Sequence, residues 1–529
     1  MQEKKNMSME IIKMMEMCVF KNVQLKKFIA RQHSRNFHRI MWHIICTVLS
    51  FPFLACAMPI SIFTENDNFM SSIKKSGNTG IESLEIVGVG ISVETWRNHP
   101  GYPKLNLWKA VDEGNGAYII SQDPQQYPHN IESSGMMSAK RKEDAVETAM
   151  RDFMDCYPLP IAIVGPALQG SNKESDKHKV RESNADSFVV TKDSEPYTSE
   201  GEFAGLLTQS GQVMNSYLND NPDKLWNTIF MTFDEHGDLP AVGVAAKDGA
   251  FQRTGRYYFN DRPKFNDMAE LAYHPKNVRT PTDSWTFLTL IRRGRIDWLR
   301  SFAPLVEDNM TIKNWPAGPS RNRSEFVGWN KEPDQPFVPT PFIPKPWTRF
   351  QIDQYDHLEN LGTLYRPQVV SYLDDHGQPV KPAERRMRME AALRAALAPL
   401  GGKSPARIFF DYGSVLDDRN GAARFLPLVQ SLQAIDDNFN LLDPRQGYDL
   451  ARILGDIGAG SPFIAVALAT MAGRQSGGAT LVANMRRDDG ATLLLVTPPS
   501  AAQIKKDAAI QRPFWPRPGF GKLRVSEDN

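Results

Sequence analysis

The stretch Leu290-Ile291-Arg292-Arg293-Gly294-Arg295-Ile296-Asp297-Trp298-Leu299-Arg300 concentrates more chemistry than any other in the chain. Its guanidiniums can receive an anion, can form a solvated helix face, or can join Trp298 in anchoring another protein, because Arg and Trp are favoured at the centre of interfaces. Arg292, Arg293, Arg295, Trp298 and Arg300 are therefore the candidates for contact with a partner. The remaining groups offer less. Histidines at 33, 38, 43, 99, 129, 178, 236, 274, 357 and 376 are scattered, and no two sit at metal-ligand spacing within one helix. Asp234-Glu235-His236-Gly237-Asp238 and Asp374-Asp375-His376-Gly377 are acidic clusters, yet each falls where the chain must turn, and Asp and Gly are turn residues. Cys156, beside Tyr157 and Pro158, has no base near it in sequence to activate a thiol. Gly88-x-Gly90 lacks the third glycine of a dinucleotide-binding loop, and close packing in a sheet explains it better. The chain carries no G-x-S-x-G elbow, no H-E-x-x-H, no P-loop and no calcium loop. No catalytic, cofactor-binding or metal-ligating residue is nominated, and the expectation is a protein that is not an enzyme and needs no cofactor.

Composition agrees with a body built around a core. The chain has 529 residues, 41% hydrophobic and 23% charged, enough for two to four domains. Lys and Arg number 62 against 61 Asp and Glu, so the chain is no polycation and a nucleic-acid partner is not expected. Cysteines stand at 18, 46, 56 and 156, and Cys156 is the only one in the globular part, which excludes an internal disulfide or cysteine-rich metal site there.

Location is written near the start. Residues 1–39 form a basic tail that includes Lys26, Lys27, Arg31, Arg35 and Arg39, and 40–63 contain no Asp, Glu, Lys or Arg. The apolar stretch is long enough to span a bilayer as a helix, and the flanking charge favours a cytoplasmic tail and a translocated body. The expectation is one inner-membrane anchor through 40–63. A cleaved signal ending near Ala55-Cys56-Ala57, a lipid on Cys56, or a cytoplasmic product started at Met58 or Met70 are the alternatives.

After a polar linker at 64–80, the segment 81–332 reads as a first domain with a polar excursion at 169–200. Strands are expected at Leu84–Val93, Ile161–Val164, Leu239–Ala246 and Trp285–Ile291; helices at Leu105–Val111, Glu202–Asp220 and up to Asp234. Pro333, Pro336, Pro339, Pro341, Pro344 and Pro346 make 333–347 a semi-rigid strap, and the interleaved Phe337, Val338, Phe342, Ile343 and Trp347 suggest that it is pressed onto a domain. A second domain, 348–505, alternates strand and helix. Its strands are expected at Tyr365–Leu373, Ala406–Phe410, Ala479–Arg486 and Ala491–Thr497, the last two as a hairpin. Its helices are expected at Pro382–Leu397, Gly421–Ala434 and Gly447–Ile457, while Pro462–Met471 is ambiguous and 506–529 is a tail. The class is mixed α/β, of the α+β kind: two mixed-sheet domains with covering helices, joined by the strap, after an N-terminal hydrophobic helix.

In their order, seven segments carry a resemblance: LEIVGVGISVETWR at Leu84–Arg97, NLWKAVDEGN at Asn106–Asn115, YIISQDPQQYP ending at Pro128, LIRRGRIDWLRSFAP at Leu290–Pro304, PFVPTPFIPKPWT at Pro336–Thr348, LGTLYRPQVVSYLDDHGQPV at Leu361–Val380 and GGATLVANMRRDDGATLLLVTPPS at Gly477–Ser500. Together they resemble the type VI secretion lipase adaptor family. The resemblance implies a two-domain, non-enzymatic adaptor that binds a phospholipase effector and loads it onto the VgrG spike. It carries over no binding residue one by one. The alternative is a membrane-tethered hydrolase with a dispersed active site.

Overall fold

The computed structural model describes residues 80–98, 103–120, 222–248 and 282–509 apart from brief gaps, together with short runs between 140 and 210. The basic tail 1–39, the apolar segment 40–63, most of the linker, residues 169–198 of the excursion, Cys156 and residues 510–529 lie outside the described residues. Among the described residues no helix is long and apolar enough to cross a membrane.

The apolar run after the linker forms β1 (Ser83–Val93), whose last eight residues are all buried. Burial on both faces explains why its sequence does not alternate. β2 (Trp96–Arg97) folds back onto it, and α1 (Leu107–Glu113) follows, capped by the Asn106 side chain accepting from the Lys109 amide. Gly88 and Gly90 have a steric role. A Cβ on Gly88 would lie 1.9 Å from the Ala149 carbonyl oxygen, and one on Gly90 would lie 1.5 Å from that of Ala145. Only bare backbone lets the helical turns at 140–149 lie this close to the strand.

Next come β3 (Pro158–Leu159), β4 (Ala162–Val164), and the hairpin β5 (Ser199–Phe203) and β6 (Leu206–Ser210), registered Phe203 to Leu206. The helix expected at Glu202–Asp220 is thus corrected over its first residues. Ala204-Gly205 is a two-residue connection with a glycine, a hairpin signal that outweighs helical spacing. α2 (Pro222–Glu235), β7 (Ala241–Asp248) and β8 (Ser284–Ile291) match expectation. A 3-10 segment, Arg293–Ser301, leads into a ribbon of β9 (Val306–Trp315) and β10 (Gly318–Trp329) that, among the described residues, pair only with each other.

Beyond the strap lie α3 (Arg349–Asp356), β11 (Gly362–Tyr365) and β12 (Gln368–Ser371). The single strand expected over Tyr365–Leu373 is two, split at Pro367, which has no N–H for a ladder. α4 (Pro382–Leu397), β13 (Arg407–Asp411) and α5 (Arg419–Gln433) follow as read. The helix expected at Gly447–Ile457 is corrected to a strand, β14 (Gly447–Asp449), and a shorter helix, α6 (Leu450–Leu454). Tyr448 explains the strand: its ring lies 5.0 Å from Phe409 and 5.8 Å from Trp108, a burial that a helix would not offer. The ambiguous Pro462–Met471 lies inside α7 (Ser461–Ser476), which is buried on every side from Ser461 to Gly473 and turns polar and exposed only in its last residues. β15 (Thr480–Asn484) and β16 (Gly490–Thr497) are the expected hairpin, and α8 (Ala501–Ala509) ends the described chain.

Apart from the ribbon and a small three-stranded sheet ordered β3-β6-β5, strands of both halves share one 11-stranded mixed sheet, ordered β14-β13-β15-β16-β11-β1-β8-β7-β4, with β12 on β16 and β2 on β1. The junction is β1 against β11, Leu84 opposite Leu364. Alternation along the second-half strands divides two cores: Phe409, Val482 and Leu494 face one side, Ile408, Leu481 and Leu493 the other. The first core joins the halves. Trp226 of α2 stacks on Phe463 of α7 at 4.6 Å, and Trp108 of α1 packs on Phe409. The second core is closed by Met389, Leu393 and Leu397 of α4 with Leu428 and Leu432 of α5.

Candidate partner-docking surface

A helix leaves its last carbonyls without intrahelical partners, and a cation nearby is drawn to them. α2 and α3 end close to the segment Arg293–Ser301, and the arginines there go to those ends. Arg293 donates to the carbonyls of Tyr355 (2.9 Å), Asp356 (3.2 Å) and Leu358 (2.6 Å), and to Glu85 Oε2 of β1 (2.9 Å). Arg295 donates to the Phe233 carbonyl in the last turn of α2. Burial, with the charge of Arg292 second, holds Arg295 below the usual guanidinium value. Arg300 forms a fork on Asp356 at 2.6 and 2.8 Å and reaches Asp297 at 3.0 Å. Three of the arginines offered by the sequence as partner contacts are therefore engaged within the protein, while the Arg292 side chain is exposed.

The strap completes this latch. Its end is a capping box in which Thr348 accepts from the Gln351 amide and Gln351 accepts from that of Thr348. Ile343 and Trp347 are buried, and Trp347 meets Tyr355 edge-on at 5.6 Å. The Tyr355 hydroxyl donates to the Pro240 carbonyl at 2.7 Å. Burial pushes its pKa well above the ordinary tyrosine value, with the Arg293 charge pulling weakly the other way, so it remains a donor.

Trp298 faces the other way. Its ring stacks on Phe337 of the strap at 5.7 Å, 17° from parallel, and meets Phe302 edge-on at 6.3 Å. Phe302 touches Phe337 (5.5 Å) and Trp329 (6.2 Å), and Trp329 touches Phe326 at 5.1 Å. Each of these rings is only partly covered, and Val327 and Val338 beside them are 56% and 51% exposed. The sequence reading found Trp298 but missed Phe302, Phe326 and Trp329; the aromatic spacing in Phe326-Val327-Gly328-Trp329 was the available signal.

The other candidates resolve as structure. Asp234 accepts from the Ile81 amide (2.7 Å) and from Arg366 (2.6 Å), fastening the start of the body to α2. Asp374 accepts from the His376 and Gln378 amides, a turn closed by its own side chain. Among the described residues no three His, Cys, Asp or Glu side chains group to hold a metal. At the end of β13, Asp411 is buried against Arg486 (3.0 Å) and accepts from the Gly413 amide (2.8 Å). Burial alone would raise its carboxyl, but Arg486, the Ser461 hydroxyl and that amide together hold it below the usual carboxylate value. A buried network also joins Arg141 to Asp283 and to Glu94 (3.1 Å), and Arg97 to Asp144 (2.9 Å), where β1, β8 and the turns at 140–149 meet.

What this arrangement can do is present rigid aromatic anchors on a frame held by Arg293, Arg295 and Arg300. The family described as Type VI lipase adapter protein Tla3, N-terminal, matches residues 82–267, and its C-terminal counterpart matches 361–498. The chain belongs to the type VI lipase adapter family Tla3. Among solved structures it is similar to the oxazolomycin ketosynthase domain of Streptomyces albus, at 10% identity over 80% of this chain and 96% of that one, with a TM-score of 0.35. Human mitochondrial 3-ketoacyl-CoA thiolase is similar at 9% identity, 79% and 99% coverage and a TM-score of 0.36. A ketosynthase of the bacillaene synthase of Bacillus subtilis 168 is similar at 7%, 79% and 71%, with a TM-score of 0.40. At such scores the likeness carries nothing about chemistry.

Proposed function

We propose that this protein is a non-enzymatic adaptor that holds a type VI lipase effector in a stable complex and loads it onto the VgrG spike. The observation that supports this reading most is the continuity of the two family-matched spans: 82–267 and 361–498 contribute strands to one sheet and side chains to one core. Such a frame offers a preformed surface, which lowers the ordering cost of binding. Its partly buried Arg293 and Arg295 work on helix ends, the task of a scaffold. The apolar residues 40–63, with the basic tail before them, anchor the chain in the inner membrane in this reading.

The test is co-purification of the full chain with a type VI lipase effector from the same genome. A saturable complex whose lipase turnover belongs wholly to the effector supports the adaptor. Ester hydrolysis by the chain alone, lost on a single substitution that leaves it folded, favours a tethered hydrolase. A ternary complex with VgrG tests loading, and alkaline extraction of membranes tests the anchor.

A further inference from the structure

We infer that the face built from Trp298, Phe302, Phe326, Trp329 and Phe337 is where the lipase effector docks, and that the effector meets it with an apolar anchor ringed by Lys and Arg. This rests on the adaptor reading above. The rings are preset. Trp298 and Phe337 pack against the main core on one side, and the latch of Arg293 and Arg300 onto α3 fixes the backbone that carries them. Rigid half-covered aromatics with a flank of exposed valines are the composition of an interface centre.

The surroundings state the sign of the partner. In the segments that carry the rings, Glu307, Asp308, Glu332 and Asp334 are exposed, against Lys331 and, just before the first ring, Arg292. The whole chain carries 62 basic and 61 acidic residues, so this excess is local placement and not composition. An anionic rim about an apolar centre disfavours lipid headgroups and phosphate backbones, which would be repelled. It also disfavours a second copy of this chain, because a two-fold contact would bring each acidic rim against its own copy. A basic rim about an apolar anchor satisfies both parts at once.

The experiment uses the full chain and the lipase effector, with the Val327→Asp/Val338→Asp pair and, separately, Glu307→Lys/Glu332→Lys/Asp334→Lys. All five side chains are exposed, and unchanged thermal unfolding of each variant verifies the fold. The aspartate pair is expected to weaken effector binding by about tenfold or more. The lysine triple is expected to slow association by about tenfold at low salt and to flatten its dependence on ionic strength. If wild type binds the effector and both variants bind it equally well, the docking face is wrong and the adaptor reading stands. Loss of VgrG binding with effector binding intact, or a wild-type dimer dissolved by the aspartate pair, likewise overturns it. If wild type binds no lipase effector, the adaptor reading falls and this inference with it.

Discussion

On one side of Arg293–Ser301 the guanidiniums reach the last carbonyls of α2 and α3; on the other, Trp298 lies against Phe337 with part of its ring uncovered. Nine residues thus carry two surfaces with different uses. Moving an arginine out of water is costly, so it goes where several acceptors wait, and helix ends supply them. An aromatic ring needs no such match. It can bury one face within the protein and leave the other for a partner. A run of arginines beside a tryptophan therefore says less about partner contact through its charge than through its ring.

The largest effect expected lies at the inward extreme of this contrast, where the buried Asp411 meets the largely covered Arg486. Asp411→Asn keeps the shape but leaves Arg486 without its countercharge, at a cost of about 3 kcal/mol at neutral pH. The pH dependence has a definite sign. Asp411 is held below its unfolded value, so its contribution is complete above the ordinary aspartate range, near about pH 4, and is lost as pH falls through the lower folded value. Urea unfolding of both proteins should give a stability gap that is wide at pH 7 and narrows steadily below about pH 4. A gap independent of pH would mean that the pair acts by packing alone.

Arg293→Ala comes next. It deprives Glu85 and the carbonyls of Tyr355, Asp356 and Leu358 of their common donor, an expected loss of about 2 to 3 kcal/mol. Because those groups join β1, the segment and α3, the strap should loosen with it. Hydrogen exchange should then quicken at Ile352 and Tyr355 before the sheet amides. Trp298→Ala, on the outward side, removes a ring that is only half buried and should cost about 1 to 2 kcal/mol in unfolding experiments. Effector affinity should fall further than that stability loss explains. A stability loss as large as that of Arg293→Ala would show Trp298 to be a core residue and would collapse the contrast between the two sides.

The elements were legible where local chemistry decides them. Pro382 opens α4, good helix formers fill it, and the chain leaves through Gly401 at φ +67. The β15–β16 hairpin was legible for similar reasons. What could not be read depended on distant partners. Nothing near Gly90 in sequence announces the Ala145 carbonyl that its missing Cβ admits, and nothing near Leu84 announces Leu364. The strap's contact with a domain was visible in its spaced aromatics, yet the union of both halves in one sheet was not, because a proline-rich boundary resembles a linker whether or not the strands beyond it return. The candidate site was legible in one residue, Trp298. The destinations of Arg293 and Arg295 required knowing where α2 and α3 end.

The smallest expected effect tests the contrast most finely. Arg300 holds Asp356 in a two-pronged contact, yet its side chain is 37% exposed and that of Asp356 38%. Water and salt screen such a pair, so its worth is about 0.5 to 1 kcal/mol despite its geometry. Arg300→Lys keeps the charge and loses the fork, and should cost about half of that. The loss should shrink further between low salt and about 1 M salt, where screening reaches across only about 3 Å. The loss from Arg293→Ala should hardly change with salt, because neutral carbonyl acceptors supply most of what Arg293 binds. Equal salt sensitivity in the two variants would mean that charge attraction, and not the demand of unpaired helix carbonyls, brought these arginines inward.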